Sequence, residues 1–423
     1  MNKAKITSLF IVFILTMLPT VLHSQNSTNS PYTRFGYGKL ADQSFGSQRG
    51  MGGIGFGLRN SQMINPLNPA SYSGVDSMTF MLDIGIMGQM AWYEDNTNNA
   101  KSRKKNGGLE YLALQVPLMK NMGMSLGIQP VSYVGYNYGD TIRLDQINGL
   151  AQHSYNGNGG LSKVYTGLSY NLFQNLSVGI NVGYLFGDII NSARLSNNVS
   201  GSFNVLREDT LRTSSLVYET GIQYYYPLEK GKNIVFGAVF SPKTKINGNV
   251  HKGIISYSSN NMVGSSEYSF SKDSIFELPE TYGIGLTFND KNKFTVGADL
   301  KYQKWASAKF YNKTDTLSNQ LKVNLGGEYI PNYQSSNFLK RTRYRIGAYY
   351  TDSYINVNGS GYDEYGASVG LGIPLIDRRS FLNFAFEYTL IKPELKTMID
   401  EQYFKVTVSY TFNELWFFKR RVQ

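Results

Sequence analysis

The sequence predicts an all-β protein: a transmembrane antiparallel β-barrel of about fourteen strands with an N-terminal hatch segment inside the barrel. Three observations support this fold class. Apolar and polar residues alternate from Met78 onward, long polar connections alternate with tight turns, and the composition favours strands. The chain contains 32 Tyr, 24 Phe and 43 Gly, while only 17% of its residues are charged. Aromatic residues are strand formers and are typical of the girdles of membrane barrels.

The first 24 residues (1–24) are predicted to be a signal peptide. They begin with Lys3 and Lys5, continue with an apolar run over 6–21, and end at the small residue Ser24. An uncleaved membrane anchor is the alternative, and it is disfavoured because the run is short and contains Pro19 and several polar residues.

Composition narrows the function classes. The chain has no cysteine and three histidines, so disulfides, thiolate metal sites and cysteine nucleophiles are excluded and zinc chemistry is disfavoured. Without Lys3 and Lys5, 39 Lys and Arg face 30 Asp and Glu, a net charge of +9. For an exported chain this charge favours outer-membrane lipid and lipopolysaccharide as partners over nucleic acid. We expect no enzyme, no cofactor and no metal site, because no catalytic or metal-binding constellation is present.

Alternation is clear enough to assign faces to individual strands. From Phe294 to Tyr302 every second residue is apolar or small, and the intervening positions include Asp299 and Lys301. About fourteen segments follow this pattern, near 77–93, 107–118, 121–138, 160–172, 174–190, 211–227, 232–250, 278–289, 292–306, 317–330, 340–355, 361–375, 378–394 and 401–412. Because a bilayer leaves no backbone amide unpaired, such strands must close into a barrel with an apolar outer face.

The connections between these segments alternate in kind. Long polar stretches lie at 93–107, 139–159, 191–210 and 251–277, whereas the others are mostly tight turns such as PLMKN and NLFQN. This layout is typical of a bacterial outer-membrane barrel whose long loops face the cell exterior. A soluble propeller or sandwich is the alternative, but its sheets would need a second layer against their apolar face, and no such layer is evident in the sequence.

Residues 25–76 do not alternate and are predicted to form the hatch. They contain GMGGIG (Gly50–Gly55), which fits the G-x-G-x-x-G fingerprint of a dinucleotide-binding turn, with Asp76 21 residues further on. That fingerprint functions only between a buried strand and a helix. KLADQSFGSQR before it is no buried strand, and Pro66 and Pro69 exclude a long helix after it. We interpret the glycines as backbone that threads a crowded barrel interior.

The R-x-M-G-G-like run that begins at Arg49, followed by Asn68, Pro69 and Ala70 just before the first strand, resembles the FadL family of outer-membrane transporters of hydrophobic compounds. It is equally similar to FadL-related barrels of the Bacteroidota, some of which serve protein export and surface attachment. The resemblance implies a multi-pass barrel in the outer membrane of a Gram-negative cell. It also implies that the N-P-A motif lies inside the barrel against a kinked third strand.

Two prolines strengthen the resemblance. Pro130 lies inside the predicted third strand, where it deletes a ladder hydrogen bond and favours a bulge. In FadL-type barrels a kink at this place opens a lateral gap toward the membrane. The alternative is that two shorter segments meet at an irregular corner. Pro242 resembles the S-P pair, followed by a glycine, that these families carry in the seventh strand.

The predicted inner faces carry charges of both signs. We expect these side chains to pair across the lumen and to hold the hatch in place; they are Glu219, Asp299, Lys301, Lys322, Glu328, Arg343, Arg345, Glu387 and Lys405. Strands two and three are more mixed, since Leu112 and Leu114 fall on one face while Leu109, Tyr111 and Ala113 fall on the other. An apolar pocket, if the barrel has one, is expected there, against the hatch.

Two further segments stand out. The basic cluster Lys101, Arg103, Lys104 and Lys105 lies in the first predicted long loop, where it would contact lipopolysaccharide phosphates or simply be solvated. Residues 413–423 follow the barrel (77–412) and combine aromatic residues with Lys and Arg. Such a tail suits the periplasmic membrane interface, and a docking tail for a periplasmic or barrel partner is the alternative.

Two hypotheses about function follow. In the first, the barrel passively takes up a hydrophobic small molecule, such as a fatty acid or an aromatic compound, and Asn68, Pro69, Ala70 and Pro130 gate its exit through a lateral opening. In the second, a non-transporting FadL-like barrel is a scaffold or subunit of an envelope complex for protein secretion, surface attachment or outer-membrane assembly.

Overall fold

A computed structural model describes residues 28–144, 149–199, 202–258, 261–290, 293–357 and 359–416. The predicted signal peptide and the last seven residues of the predicted tail lie outside these ranges. Over the described ranges no helix is long and apolar enough to cross a membrane.

The described chain consists mainly of strands. Their bounds are β1 Lys39–Leu40, β2 Thr79–Asp95, β3 Ala100–Met119, β4 Met122–Leu144, β5 Gly149–Phe173, β6 Leu176–Asn197, β7 Asn204–Pro227, β8 Lys232–Ser241, β9 Thr244–Ser258, β10 Asn261–Leu278, β11 Thr281–Asp290, β12 Phe294–Gln303, β13 Gln320–Tyr329, β14 Arg343–Asp352, β15 Tyr362–Pro374, β16 Phe381–Pro393 and β17 Ile399–Leu415. Two helices of one turn, α1 (Gly46–Arg49) and α2 (Phe338–Arg341), and short 3₁₀ turns at Pro31–Arg34, Pro69–Gly74, Glu229–Gly231 and Trp305–Ser307 complete the list.

The strands form a closed antiparallel barrel, because β17 pairs with β2 from Ile399 to Leu415. β8 and β9 together make one barrel strand that is interrupted at Pro242, and β10 and β11 make the next, interrupted at Pro279. Proline breaks both because it has no N–H for the ladder. With these two composite strands the barrel has 14 strands, which confirms the predicted fold class. The short strand β1 belongs to the hatch and pairs with β4 from inside.

Faces alternate as predicted in the regular strands. On β12 the side chains of Val296 and Leu300 are 54% and 39% exposed, whereas Asp299 is buried. The apolar face therefore points out of the barrel and the polar face points into the lumen, which is the reverse of a soluble sheet.

The two sides of the barrel differ in height. On one side, β4, β5, β6 and β7 have 23, 25, 22 and 24 residues; we call these four strands the tall wall. On the other side, β12 to β14 have 10 residues each, and β15 and β16 have 13 each; we call these five strands the short wall. About ten residues suffice to cross the membrane, so the tall wall extends well beyond it.

Four sequence-based assignments are wrong, three predicted loops and the end of the last strand. The stretches 139–159, 191–210 and 251–277, predicted as long loops, are largely paired strand. These extensions are rich in polar residues and show no regular alternation, so the periodicity does not reveal them. The last strand ends at Leu415 and not at Phe412, because its end pairs with Thr79 and Phe80 of β2. The Trp416 ring stacks on Phe80 with centroids 4.4 Å apart.

Candidate functional site

The hatch is held together by buried side-chain amides. Gln48 Nε2 donates to Asn65 Oδ1 at 2.7 Å, and Asn65 Nδ2 donates to the carbonyl oxygens of Gly55 and Leu58 at 2.7 and 2.8 Å. Gln48 is completely buried. Because a buried amide stabilises only when its hydrogen bonds are satisfied, this network fixes the path of the glycine-rich loop around Asn65.

The GMGGIG loop lies directly on the short wall. A Cβ at Gly326 of β13 would lie 2.0 Å from the Met51 carbonyl oxygen, and one at Gly347 of β14 would lie 2.1 Å from the Gly52 amide nitrogen. Gly52 itself has φ +65°, a conformation that favours glycine. The glycines of the loop and of the wall thus let two backbones touch. In the described part of the chain no long helix follows the loop, so it lacks the setting of a dinucleotide-binding turn.

The N-P-A motif lies on the tall wall near the start of β6 and the end of β7. Asn68 is completely buried; its Oδ1 accepts from the Ala70 amide at 3.0 Å and its Nδ2 donates to the Phe56 carbonyl at 2.8 Å. It also donates to the Ile222 carbonyl of β7 at 3.1 Å, and Pro69 covers Gly179 of β6. Asn68 and Pro69 therefore do not lie against the kinked third barrel strand, as the resemblance implied. The reason is steric, since Gly179 and Gly221 leave room for them, and the turn that follows reaches β4 at Gly123, next to Tyr72.

The predicted lumen charges lie in the lumen, and most of them are paired. Glu328 accepts from Arg343 at 3.2 Å and from Arg345 at 2.7 Å. Three more form ion pairs: Glu387 with Lys405 (3.0 Å), Glu219 with Lys163 (2.5 Å) and Lys322 with Asp42 (3.2 Å). Asp299 accepts hydrogen bonds from the hatch amides of Gly55 (2.6 Å) and Phe56 (2.9 Å). Lys301 lines a lumenal cavity.

The hatch supplies partners that the strand pattern did not reveal. Arg49, 2% exposed, bridges Glu110 of β3 at 2.9 Å and Glu387 of β16 at 3.7 Å. Asp42 reaches Lys322 on the short wall. Burial opposes its ionisation, but Lys322 and Arg49 hold the pKa of the Asp42 carboxyl well below its usual range. The only sequence signals were Arg49 in the R-x-M-G-G-like run and a lone acid, Glu110, in a largely apolar part of β3.

The hatch occupies the lumen and leaves separate cavities beside it. Among the described residues these include two of about 140 Å³ each, both lined by charged, polar and apolar side chains, and one of about 310 Å³ next to Arg34 and Gly36. At the end of the barrel where the tall wall extends, the Tyr37 ring of the hatch packs against Trp305 and Phe310, with centroids 5.7 and 5.2 Å apart. The apolar pocket expected against the hatch is filled, because Phe45 stacks on Tyr111 at 3.9 Å.

The barrel wall opens between β3 and β4. Their ladder runs from Met119 up to the pair Leu112 and Ile128 and ends there. Beyond it β4 has a register shift between Pro130 and Ser132, and its freed edge pairs with the hatch strand β1. Pro130 therefore lies where the third barrel strand leaves its neighbour.

A second β-bulge, on β3, turns the Leu109 side chain to the face opposite the predicted one. On β3, Gly85 pairs with Tyr111 but Ile86 pairs with Leu109, so Glu110 is an extra residue. As a result Leu109 is 55% exposed on the outer face, whereas Tyr111 is 2% exposed. The sequence pattern had placed both on one face, which is wrong because a bulge shifts the period by one residue.

The tall wall carries an outer cleft of about 910 Å³. Its lining includes three glycines with positive φ, Gly159, Gly160 and Gly187, with φ +111°, +142° and +152°. The outer cleft is lined by Leu109, Glu110, Tyr111, Ile128, Gln129, Pro130, Ser132, Tyr133, Gly159, Gly160, Ser162, Tyr184, Phe186, Gly187, Asp188, Arg212, Thr213, Ser214, Asn247 and Asn249. Its size is that of a ligand site, since such sites are about 300–1,000 Å³.

The basic cluster does not lie in a loop. Lys101, Arg103, Lys104 and Lys105 are exposed residues of β3, next to the opening, and pair with β2. Lys101 contacts Glu94 at 2.7 Å, and the Arg103 guanidinium lies 5.6 Å from the centroid of the Trp92 ring.

The fold and the filled lumen define an outer-membrane-type β-barrel that is plugged by its own N-terminal segment. This chain belongs to the BamG family, whose model matches residues 5–423. No curated protein matches it.

Several solved barrels are similar in fold. The toluene transporter TodX of P. putida has a TM-score of 0.59 at 14% identity, covering 89% of this chain and 99% of that one. The toluene transporter TbuX of Ralstonia pickettii has a TM-score of 0.58 at 14% identity, covering 87% and 97%. A FadL homologue of Pseudomonas aeruginosa has a TM-score of 0.56 at 14% identity, covering 89% and 98%. At this identity the likeness is one of fold.

Proposed function

We propose that this protein is a non-transporting barrel that serves as a scaffold or subunit of an envelope complex. Membership of the BamG family favours outer-membrane assembly among the tasks of such a complex. The main support for the proposal comes from the lumen. Ion pairs join the hatch to the barrel wall across it, at Arg49 and at Asp42.

These contacts are best explained by a hatch that stays in the lumen permanently. A hydrophobic ligand that crossed the lumen would have to displace the hatch and pass between Arg49, Glu110 and Glu387, all of which are at least nine-tenths buried. Separating one buried pair costs about 3–5 kcal/mol, because the charge that remains is uncompensated. An apolar ligand offers no hydrogen bond in return, so the charged lumen opposes its passage.

Affinity purification tests the subunit role. A C-terminally tagged chain, purified from its native outer membrane at low detergent, is expected to bring down at least one stoichiometric envelope protein. Depletion of the chain should then lower the amount of other barrels in the outer membrane. A lone monomer after cross-linking, together with normal outer-membrane barrels after depletion, would contradict the proposal.

Passive uptake of a hydrophobic compound is the second candidate, and the opening between β3 and β4 at Pro130 favours it. Toluene flux into proteoliposomes distinguishes the two. The subunit proposal predicts the same flux as in protein-free vesicles. Uptake predicts an added flux that disappears when Pro130 is replaced by Val and Val131 is deleted, while the barrel keeps its heat-modifiable migration on gels.

A further inference from the structure

The outer cleft is amphipathic in the direction of the membrane normal. Its lower lip carries the outward side chains Leu109, Ile128 and Tyr184, which are 55%, 36% and 50% exposed. Its upper lip is polar, and there Arg212 Nη2 contacts Asp188 at 3.0 Å. Since the long strand extensions face the cell exterior in such barrels, the cleft lies at the outer boundary of the bilayer.

A row of cations continues from the lower lip along β3. Lys101, Arg103 and Lys105 pair with Glu94, Trp92 and Met90 of β2, so all three lie on the outer face of the wall, two residues apart. We call these three residues the basic row. Lys105 lies four residues before Leu109 in β3, about 13 Å away along the strand. Among the described residues, the only ion pair of the row joins Lys101 to Glu94.

The edges beside the cleft do not suit an added strand from a protein partner. The freed edge of β4 is already occupied by the hatch, through Lys39 and Leu40 paired with Tyr133 and Ser132, and the Ala41 amide donates to the Val131 carbonyl at 2.9 Å. Lysines along the facing edge strand oppose strand addition.

We propose that the outer cleft and the basic row together bind lipopolysaccharide, with an acyl chain along the lower lip and a lipid A phosphate on the basic row. Apolar side chains match the hydrocarbon, polar groups of the upper lip match the sugar, and Arg103 and Lys105 supply charge at the head-group level. The aromatic ring of Trp92 next to them suits the same interface. This site goes beyond the subunit role and stands whether or not that role is correct.

Titration of the delipidated full-length protein with lipid A, followed by native mass spectrometry, tests the site. We expect one diphosphoryl lipid A per chain. Removal of the phosphates from the lipid should weaken binding by at least about fivefold, the effect of one cation on an anionic surface. Equal binding of dephosphorylated lipid A would overturn the proposal.

Two variants test the two halves of the site. K101Q/R103Q/K105Q is expected to weaken binding at least about tenfold, whereas K120Q/K230Q/K340Q, the matched loss of three exposed cations at the opposite rim, should leave it unchanged. In the cleft, S162W is expected to abolish the one-to-one complex, and L286W on the lipid-facing side of β11 should not. All four must keep heat-modifiable migration. Equal losses in a variant and its control, or full binding by S162W, would overturn the proposal.

Discussion

The short wall and the tall wall solve different physical problems. In the short wall, β12 to β16 pair residue for residue without a register shift, and the inner face carries the Glu328 ion pairs and the glycines that seat the hatch. In the tall wall, β4 to β6 contain register shifts, and their glycines with positive φ line the outer cleft. The short wall fixes the plug, whereas the tall wall shapes a surface on the membrane side.

The largest effect is expected where wall backbone meets hatch backbone. Replacing Gly347 by Val puts a Cβ 2.1 Å from the Gly52 amide nitrogen, and neither backbone can move without opening the barrel ladder. We expect no folded barrel, measured as loss of heat-modifiable migration. Gly88→Val is the matched control, because nothing lies within 4 Å of a Cβ there. A folded G347V protein would show that the hatch is loose in the short wall.

The second largest effect is expected from removing a buried charged side chain on the short wall. Glu328→Ala leaves Arg343 and Arg345 without their carboxylate, and we expect a loss of about 3–5 kcal/mol in the free energy of unfolding, measured by urea titration in lipid vesicles. The triple variant E328L/R343M/R345M removes all the charges together and should recover most of the loss. If the triple variant does not recover the free energy of unfolding, E328A acts through lost packing and not through uncompensated charge.

The tall wall should tolerate a comparable glycine change better. In Gly187→Ala the Cβ meets the Gly160 carbonyl oxygen at 2.2 Å and the φ of +152° is strained. We expect a loss of about 1–3 kcal/mol in the same urea titration, because only local strain is added. Gly253→Ala on β9, where a Cβ has nothing within 4 Å, is the control. A loss as complete as that of G347V would remove the contrast between the walls.

The smallest effect is expected at the contact of the hatch with the tall wall. Asn68→Ala removes the cap of Pro69–Gly74 and the donors to Phe56 and Ile222, so we expect a loss of about 0.5–2 kcal/mol in the free energy of unfolding. Asn337 caps the exposed α2 in the same way, and Asn337→Ala should cost less because water replaces its bond. Equal losses would indicate that burial adds nothing to the N-P-A cap.

The sequence patterns predicted those parts of the barrel strands in which one face meets lipid. Val296 and Leu300 on one side and Asp299 on the other follow from periodicity alone, since a strand alternates its faces. The same reasoning assigned charges such as Glu328 and Arg345 to the inner face, but it missed Arg49 and Asp42, because the hatch has no periodicity from which a direction can be read. It also failed at Leu109, where one extra residue, Glu110, reverses the faces without any change in composition.

By itself the sequence determined the fold class, the inner and outer faces of the regular strands and the position of the hatch, because each depends on local residue order or on the requirement that a bilayer leaves no amide unpaired. The tertiary structure alone decided which hatch groups meet which wall charges, how far the polar strands extend, and that β3 and β4 separate above Leu112. These features depend on pairs of residues far apart in the chain, such as Arg49 with Glu387 and Lys39 with Tyr133, and no local pattern encodes them.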